Sequence, residues 1–345
     1  MKTILLAVTA ALAIASGMYF LSNSTGSRML SKTSEIDNAW VAWKQFNGKT
    51  YGTSSDEAYR KQVFANNYQM VAESNADSEN TFTLELNKFA DLEKTEFAAL
   101  YTGRKNVQAA NTYSQGPVEY LDISDLPASW DWRTDKRGPV GDVVDQGMCG
   151  SCWAFSATAG LEGWNVLNGG NKFTKYAEQQ IVDCSTVAPW NMGGCRGGLE
   201  IFAYRYAGSQ GMMLESDYPY TAKDGTCKYD STKVQRPNTT GGAVPANNSA
   251  QLKARIHKQP TSVAVEADRG AFQFYKSGVL NKKSCGTDTD HAILAVGYGT
   301  ENGVDYYIVR NSWGTSWGDN GYIKIGAQAD GPGICGIQKA PTYAI

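Results

Sequence analysis

The sequence predicts an α+β protein in which a helical half precedes a strand-rich half, with a cleft where the halves meet. The chain has 345 residues, of which 42% are hydrophobic and 19% are charged. This composition is typical of a globular protein with a substantial core. Apolar residues recur at helical spacing in the first half of the chain, whereas short β-like runs separated by glycines dominate its last third.

The first 17 residues predict a secretory signal peptide. Lys2 precedes the apolar run Ile4–Ala15, and two small residues follow that run. The alternative is an uncleaved membrane anchor, because Met18–Leu21 extends the apolar run to about the minimum spanning length. No later segment is long and apolar enough to span a membrane, so no stable membrane association is expected.

The charge balance and three glycosylation triplets give further information on partners and compartment. The chain carries 32 basic and 34 acidic residues, so nothing in its charge predicts a nucleic-acid partner. Asn23, Asn238 and Asn247 each begin an Asn-x-Ser/Thr triplet. These three asparagines are candidates for glycosylation in the secretory pathway.

Residues 34 to about 100 predict amphipathic helices and contain neither cysteine nor proline. The apolar residues at helical spacing are Trp40, Trp43, Phe46, Tyr59, Val63, Phe64 and Val71. Residues 102–116 are polar and predict an exposed linker. A front part without disulfides can be detached from a cross-linked rear part, as a prosegment would be.

The rear part begins near Leu126, and the chain's seven cysteines lie within it. An odd number of cysteines indicates either an intermolecular link or a free thiol. The sequence predicts helices at 151–167 and 176–183, and strands at 262–266, 292–298, 306–310 and 322–325.

The motif Cys149-Gly150-Ser151-Cys152-Trp153 allows three interpretations. A Cys-x-x-Cys redox pair would need a short βαβ context, and no strand precedes the motif. A zinc site would need a second close Cys or His pair, and Cys184 to Cys195 lacks that spacing. The third interpretation is a cysteine nucleophile, because Cys152 stands at the start of a helix, where its thiolate is stabilised.

A cysteine nucleophile needs a histidine beside it, and the chain has two. His257 lies in a basic helical stretch, where an exposed or packed role is expected. His291 lies at the entry to an apolar strand, where it can face a cleft while the strand holds it in place. His291 is therefore the candidate partner of Cys152.

The segment Gln146–Phe155 resembles the active-site segment of the papain-like cysteine proteases. His291 and Asn311 follow Cys152 at the spacing described for that family, and 311–318 resembles its asparagine segment. The resemblance implies the papain-like two-lobed fold: a helical lobe and an antiparallel β-barrel-like lobe with the active-site cleft between them, preceded by a helical propeptide.

The same resemblance assigns catalytic roles. Cys152 would attack the peptide carbonyl as a thiolate, and His291 would hold the ion pair and then protonate the leaving amine. Asn311 would orient the imidazole, and Trp313 would shield that hydrogen bond from water. Gln146 would donate to the oxyanion together with the backbone N–H of Cys152. The expected activity is peptide-bond hydrolysis through an acyl-enzyme, with no metal or other cofactor.

Three disulfides are also implied by the resemblance, and they leave Cys152 as a free thiol. The implied pairs are Cys149–Cys195, Cys184–Cys227 and Cys285–Cys335. We expect a monomer that acts on protein and peptide substrates.

The front part resembles the propeptides of cathepsin L-like proteases. The ERFNIN helix motif is matched by Asp56, Arg60, Phe64, Asn67, Val71 and Asn75. The accompanying Gly-x-Asn-x-Phe-x-Asp pattern is matched by Asn87, Phe89 and Asp91, with Glu85 in the place of glycine. The resemblance implies a zymogen whose propeptide occupies the cleft as an intramolecular inhibitor until cleavage between Tyr113 and Leu126.

The predicted domains are a signal peptide at 1–17, a helical propeptide and linker at 18–120, and a peptidase domain at 121–345 with its boundary near 121–126. The expected location is the secretory pathway, ending in a lysosome or vacuole or outside the cell.

In this family the substrate side chain second from the scissile bond, on the acyl side, decides preference. Gly197 and Gly198 match the backbone strip that binds extended substrate, and Trp313 also belongs to the predicted substrate-binding set. The positions that match the pocket for this side chain are Leu199, Glu200, Ala264, Thr289, Ala292 and Ala340. Ala340 predicts a pocket that prefers Leu, Phe or Val over Arg, although Glu200 stands where an apolar residue is common. Dipeptide removal from C-termini would need an additional histidine pair, so an endopeptidase is expected.

Two other classes of protein stay open at this point. One is a catalytically silent homologue that acts as a binding protein, against which stands the presence of every expected catalytic residue. The other is a disulfide oxidoreductase that uses Cys149 and Cys152.

Overall fold

The computed structural model describes residues 34–103, 116–169, 172–235 and 239–345. The chain divides into two compact units: the first ends at Gln69, and the second begins at Met70. The predicted signal peptide, most of the predicted linker and the sequons at Asn23 and Asn238 lie outside the described residues. Within the described ranges, no helix is long and apolar enough to cross a bilayer.

Two helices of the first unit pack through aromatic side chains. Helix α1 covers residues 34–47, and helix α2 begins at Ser54. Trp40 stacks on Trp43 with ring centroids 5.5 Å apart, and Phe64 of α2 lies 5.3 Å from both rings. The predicted helices are confirmed, but Phe46 is 87% exposed and Tyr59 is 49% exposed, so neither belongs to the buried face.

The second unit contains the end of α2 and the elements that follow it. The helices are α2 (Ser54–Ala76), α3 (Lys94–Tyr101), α4 (Cys152–Asn168), α5 (Glu178–Cys184), α6 (Glu200–Gln210), α7 (Ser249–Lys258) and the short α8 (Gly270–Gln273). The strands are β1 (Phe82–Leu84), β2 (Trp130–Asp131), β3 (Gly241–Ala243), β4 (Thr261–Val265), β5 (Tyr275–Leu280), β6 (His291–Glu301), β7 (Val304–Arg310), β8 (Tyr322–Gly326) and β9 (Thr342–Ala344).

These strands form one sheet in the described part of the chain. Its order is β1-β5-β8-β7-β6-β4-β9-β3, and β2 pairs with β6. The pairs are antiparallel except for β5 and β8, which run parallel. The predicted antiparallel lobe thus also contains one parallel pair, formed by β5 and β8. The sheet also includes β1, a strand in the front part where we predicted helices alone.

Strand β6 lies inside the sheet and is buried on both faces. Its first nine residues, from His291 to Gly299, are buried, which agrees with their nearly continuous apolar sequence. In the pairing with β4, His291 lies opposite Val265 and Ala292 lies opposite Ala264. His291 is therefore the first residue of a buried strand that is held on both sides by its neighbours.

Helix α4 is buried over most of its length because small residues let its neighbours approach closely. A Cβ atom at Gly160 would lie 2.0 Å from the hydroxyl oxygen of Tyr204 in α6. On the sheet side, Ser156 Oγ donates a 2.8 Å hydrogen bond to the carbonyl oxygen of Ile293 in β6. Helix α4 is thus held between α6 and β6.

The six cysteines other than Cys152 form three disulfides in the pairs that the resemblance implies. Two bridges, Cys149–Cys195 and Cys184–Cys227, lie in the helical lobe. The third, Cys285–Cys335, lies in the strand-rich lobe. The sequon at Asn247 has an exposed asparagine just before α7, so its side chain is accessible to a glycan.

A charged cluster lies buried at the far end of α4. Lys175 Nζ is 3.1 Å from Glu162 Oε1 and also pairs with Glu178. The backbone N–H of Tyr176 donates to Glu162 as well. Burial raises the pKa of Glu162 from 4.5 to about 7, and the charge of Lys175 only partly offsets that rise.

We therefore expect Glu162→Gln to flatten the pH dependence of the free energy of unfolding. A carboxyl whose pKa is raised in the folded state stabilises the protein fully below its unfolded pKa, and this contribution is lost as pH rises from about 4.5 to 7. The wild-type protein should lose a few kcal/mol across that window relative to the variant. Urea unfolding at several pH values measures the difference.

A matched control is Glu301→Gln, whose carboxyl is partly exposed and pairs with Lys324 at the surface. This control should keep the wild-type slope. A Glu162→Gln slope equal to that of the wild type would contradict the assignment.

Candidate active site

The two candidate catalytic side chains lie at the starts of neighbouring elements. Cys152 is the first residue of α4, and His291 is the first residue of β6. Both side chains are fully buried. The first N–H groups of a helix have no intrahelical acceptor, so the backbone N–H of Cys152 is available to a ligand.

Asn311 and Trp313 fix the imidazole ring. His291 Nε2 lies 2.8 Å from Asn311 Oδ1, an oxygen that also accepts the backbone N–H of Ser312. The amide oxygen accepts only, so Nε2 carries the proton. Trp313 stacks on the ring at 4.5 Å between centroids and 25° between planes, and this indole excludes water from the hydrogen bond.

The other ring nitrogen, His291 Nδ1, has no hydrogen-bond partner among the described residues. Because Nε2 is engaged by Asn311, Nδ1 is the nitrogen that can exchange a proton with a thiol or a leaving amine. The ring is therefore held in one tautomer with its reactive nitrogen unoccupied.

Gln146 is held so that its amide nitrogen faces the cleft. Ser312 Oγ donates a 2.6 Å hydrogen bond to Gln146 Oε1, which fixes the orientation of the amide. Gln146 Nε2 then donates to the carbonyl oxygens of Cys149 at 2.9 Å and Tyr101 at 3.1 Å. An amide nitrogen bonded to a carbonyl oxygen in the cleft is in a suitable place to bind an oxyanion.

Tyr220 is hydrogen-bonded to the loop from Gln146 to Ser151. Its hydroxyl donates to the carbonyl oxygen of Gln146 at 2.7 Å and lies 2.6 Å from Ser151 Oγ. The ring of Tyr220 packs edge-on against Phe155 in α4. The loop from Gln146 to Ser151 is thereby tied to the helix that carries Cys152.

Residues Tyr101–Gly103 of the front part lie in the cleft. Trp313 Nε1 donates to the carbonyl oxygen of Tyr101 at 3.2 Å. Gly103 donates its N–H to the carbonyl oxygen of Asp290 at 3.0 Å and accepts the N–H of Gly198 at 2.9 Å. These hydrogen bonds place a peptide backbone along the predicted substrate strip.

Glycine is required at position 197 of that strip. Gly197 has a φ of +105°, and a Cβ atom there would lie 2.0 Å from the carbonyl oxygen of Gly103. Any side chain would therefore meet a peptide bound along the strip.

An aromatic cluster fastens the same segment to the active site. Phe89 and Phe97 pack edge-on against Trp313 with ring centroids 5.5 and 5.2 Å away. Tyr101 packs 4.6 Å from Phe89, and burial raises its pKa to about 12. The indole that shields the His291–Asn311 hydrogen bond is thus also the docking platform of the front part.

Burial disfavours the charged forms of the two candidate catalytic side chains in this structure. It raises the pKa of the Cys152 thiol to about 12, and the charges of Glu200 and Asp290 raise it further. Burial also lowers the pKa of His291 to about 4, against the effect of the Asn311 hydrogen bond. These directions are opposite to those of the thiolate–imidazolium pair that the sequence implies, because the covered cleft disfavours both charges.

The other predicted substrate positions are buried or half-buried. Ala264 and Ala292 lie opposite each other in the β4–β6 pairing. Leu199 and Thr289 are buried, Ala340 is half-buried, and Glu200, which begins α6, is 1% exposed. A carboxylate in the first turn of a helix is stabilised by the helix dipole.

Cys149 and His257 are not part of a catalytic pair with Cys152. Cys149 is bonded to Cys195, so it forms neither a redox pair with Cys152 nor a zinc ligand. In the described part of the chain Cys152 is the free cysteine. His257 packs edge-on against Trp130 at 4.4 Å, in agreement with its predicted packing role.

Comparison with known proteins agrees with this geometry. The model of the papain family cysteine proteases matches residues 126–345, and that of the cathepsin propeptide inhibitor domain matches residues 40–97. The chain therefore belongs to the papain family of cysteine proteases, and it carries a propeptide inhibitor domain.

Individual proteins and solved structures are similar to this chain over most of its length. A senescence-specific cysteine protease of Arabidopsis thaliana is 39% identical, with 94% of each chain covered. The structure of a recombinant stem bromelain precursor has a TM-score of 0.79 at 36% identity and covers 90% of this chain and 98% of that one. Digestive procathepsin L 3 from the larval midgut of Tenebrio molitor has a TM-score of 0.78 at 34% identity, with 90% and 98% covered. The predicted papain-like fold with a propeptide and the predicted class of enzyme, a cathepsin L-like cysteine protease, are confirmed.

Sequence reasoning missed three residues that contact the site: Ser312, Tyr220 and Asp290. Ser312 lies inside the asparagine motif, so the sequence could have indicated that it lies near the site. Tyr220 and Asp290 act through a hydroxyl and a backbone carbonyl, and no local pattern marks such contacts.

We expect the Cys152 thiol of the full-length chain to react slowly with iodoacetamide near neutral pH. Alkylation needs the thiolate, and burial of Cys152 in the full-length chain disfavours it. After removal of the prosegment the rate should rise by at least about a hundredfold. Mass spectrometry measures the extent of alkylation over time, and Cys152→Ala gives the background from other residues. Equal alkylation rates before and after processing would contradict the idea that the thiol is protonated in the full-length chain.

Proposed function

We propose that the chain is a cysteine endopeptidase, made as a zymogen, in which Cys152 and His291 hydrolyse peptide bonds through an acyl-enzyme. The observation that carries this proposal is the placement of Cys152 and His291 at the starts of α4 and β6, with His291 Nε2 hydrogen-bonded to Asn311 Oδ1 at 2.8 Å. This arrangement leaves His291 Nδ1 as the nitrogen that serves the thiol.

The chemistry follows from these positions. When the cleft is open to water, the Cys152 proton passes to His291 Nδ1, and the thiolate attacks the carbonyl carbon of the substrate. The oxyanion is held by Gln146 Nε2 and the backbone N–H of Cys152. His291 then gives its proton to the leaving amine, and a water molecule, activated by the neutral imidazole, hydrolyses the thioester.

The direction of the prosegment supports inhibition without cleavage. Tyr101 contacts Gln146 and Trp313, beside the histidine that protonates the leaving amine. Gly103, further along the chain, contacts Gly198 and Asp290, where the acyl part of a substrate lies. A substrate runs from the acyl side to the leaving side, so the prosegment runs the opposite way and does not place a peptide bond in register for attack.

We place the mature domain at 121–345, with processing between Tyr113 and Leu126, after a signal peptide at 1–17. The three disulfides support an oxidising compartment. We accordingly propose a lysosome-like or vacuolar compartment or the extracellular space as the place of action.

Replacing Cys152 by Ala should lower peptide hydrolysis by the processed enzyme at least about a thousandfold, since the nucleophile is lost. His291→Gln should have a comparable effect. The matched control is His257→Gln, which removes the other histidine and should retain activity. Hydrolysis that persists in Cys152→Ala would exclude the thiol as nucleophile, and an inactive wild-type enzyme would favour a silent binding protein.

Reporter peptides that differ in the residue second from the scissile bond test the pocket. The small side chains of Ala264, Ala292 and Ala340 leave room for an apolar group, so a Phe-Arg reporter should be cleaved at least about tenfold faster than an Arg-Arg reporter. The measurement is kcat/KM for each peptide. Comparable values would show that the charge of Glu200 governs the pocket instead.

A further inference from the structure

Asp145 provides a carboxylate on the side of the cleft that receives the leaving part of a substrate. It precedes Gln146 in the sequence, and its backbone forms an antiparallel bridge with Trp313. Because Trp313 stacks on His291, which protonates the leaving amine, the substrate residues after the scissile bond must pass Asp145, Gln146 and Trp313. We call these three residues the leaving-side surface.

The carboxylate is held in one orientation. Asp145 Oδ1 accepts the backbone N–H of Gly147 at 2.9 Å, so Oδ2 is the oxygen that remains for a ligand. Gly314 leaves space for it, since a Cβ atom at that position would lie 3.0 Å from Oδ2. The side chain of Asp145 is 43% exposed, so solvent and ligands reach it.

The prosegment fills this surface with a cation next to an aromatic ring. Lys88 Nζ lies 2.5 Å from Asp145 Oδ2. The adjacent Phe89 packs on Trp313 at 5.5 Å between ring centroids. When the prosegment leaves, the ammonium and the ring leave together, and Asp145 loses the cation that it binds in the zymogen.

We propose that Asp145 is a specificity-determining residue that selects a lysine or arginine in the first or second substrate residue after the scissile bond. The basic side chain takes the place of Lys88, with its aliphatic stem against the part of Trp313 that Phe89 vacates. This inference rests on the proposed function and adds to it a preference on the leaving side, separate from the acyl-side pocket.

The expected size of the effect follows from the exposure of the pair. Ion pairs between partly exposed side chains are weak, and salt screens them. Replacing a neutral residue by Lys should raise kcat/KM about 2- to 5-fold, and replacing it by Glu should lower kcat/KM by a similar factor, because two carboxylates repel.

The test uses internally quenched peptides that share one acyl part and carry Lys, Gln or Glu at the first or the second position after the scissile bond. The enzyme is expressed as the full chain and processed. Each kcat/KM is divided by that for a Phe-Arg coumarin amide, which has no amino acid after the scissile bond. In the wild type we expect a Lys-to-Glu ratio of about 4 to 25 at one of the two positions, and a smaller ratio at high salt.

Three variants separate the role of this carboxylate from a general charge effect. Asp145→Asn keeps an oxygen for the Gly147 N–H and should bring the Lys-to-Glu ratio close to one. Asp145→Lys should reverse the preference. The matched control Asp142→Asn removes an exposed carboxylate three residues away and should keep the wild-type ratio.

A wild-type ratio near one at both positions, or a ratio that Asp145→Asn does not change, would overturn the inference. The coumarin amide distinguishes this outcome from failure of the proposed function. An enzyme that cleaves the coumarin amide but does not discriminate between Lys and Glu refutes only the role of Asp145, whereas an enzyme that cleaves no substrate refutes the proposed function.

Discussion

The packing of helix α4 against strand β6 determines the geometry of the active site. Cys152 begins the helix and His291 begins the strand, so a shift of either backbone moves the sulfur relative to the imidazole. The hydrogen bond from Ser156 to Ile293 and the close approach of Gly160 to Tyr204 hold the helix in place. Because a misplacement of about 1 Å can cost a hundredfold in rate, these core contacts matter to the chemistry.

Several groups to which we assign catalytic roles are hydrogen-bonded to the prosegment. Tyr101 accepts hydrogen bonds from Gln146, the proposed oxyanion donor, and from Trp313, which covers the proposed catalytic histidine. Burial raises the pKa of the Cys152 thiol and lowers that of the His291 imidazole, which disfavours both charges. The propeptide therefore engages the same polar groups that the proposed chemistry uses.

Much of the fold was predictable because its signals are local. The helix beginning at Cys152 and strands β4, β6, β7 and β8 fall within a few residues of their predicted positions. Strand β1 was missed because its three residues acquire strand structure only by pairing with β5, a partner almost 200 positions away. The parallel pairing of β5 with β8 was missed for the same reason, since the direction of a pair is a property of the sheet.

The sequence by itself determined the candidate chemistry: one unpaired cysteine at a helix start, one histidine at a strand entry, and an asparagine motif at the right distance. Only the tertiary structure decided the states of those groups. The tautomer of His291, the orientation of the Gln146 amide, the raised pKa of the Cys152 thiol and the Lys88–Asp145 ion pair each depend on neighbours elsewhere in the chain. Protonation and hydrogen-bond direction follow from burial and from what lies within about 3 Å, and both are fixed only when distant segments pack together.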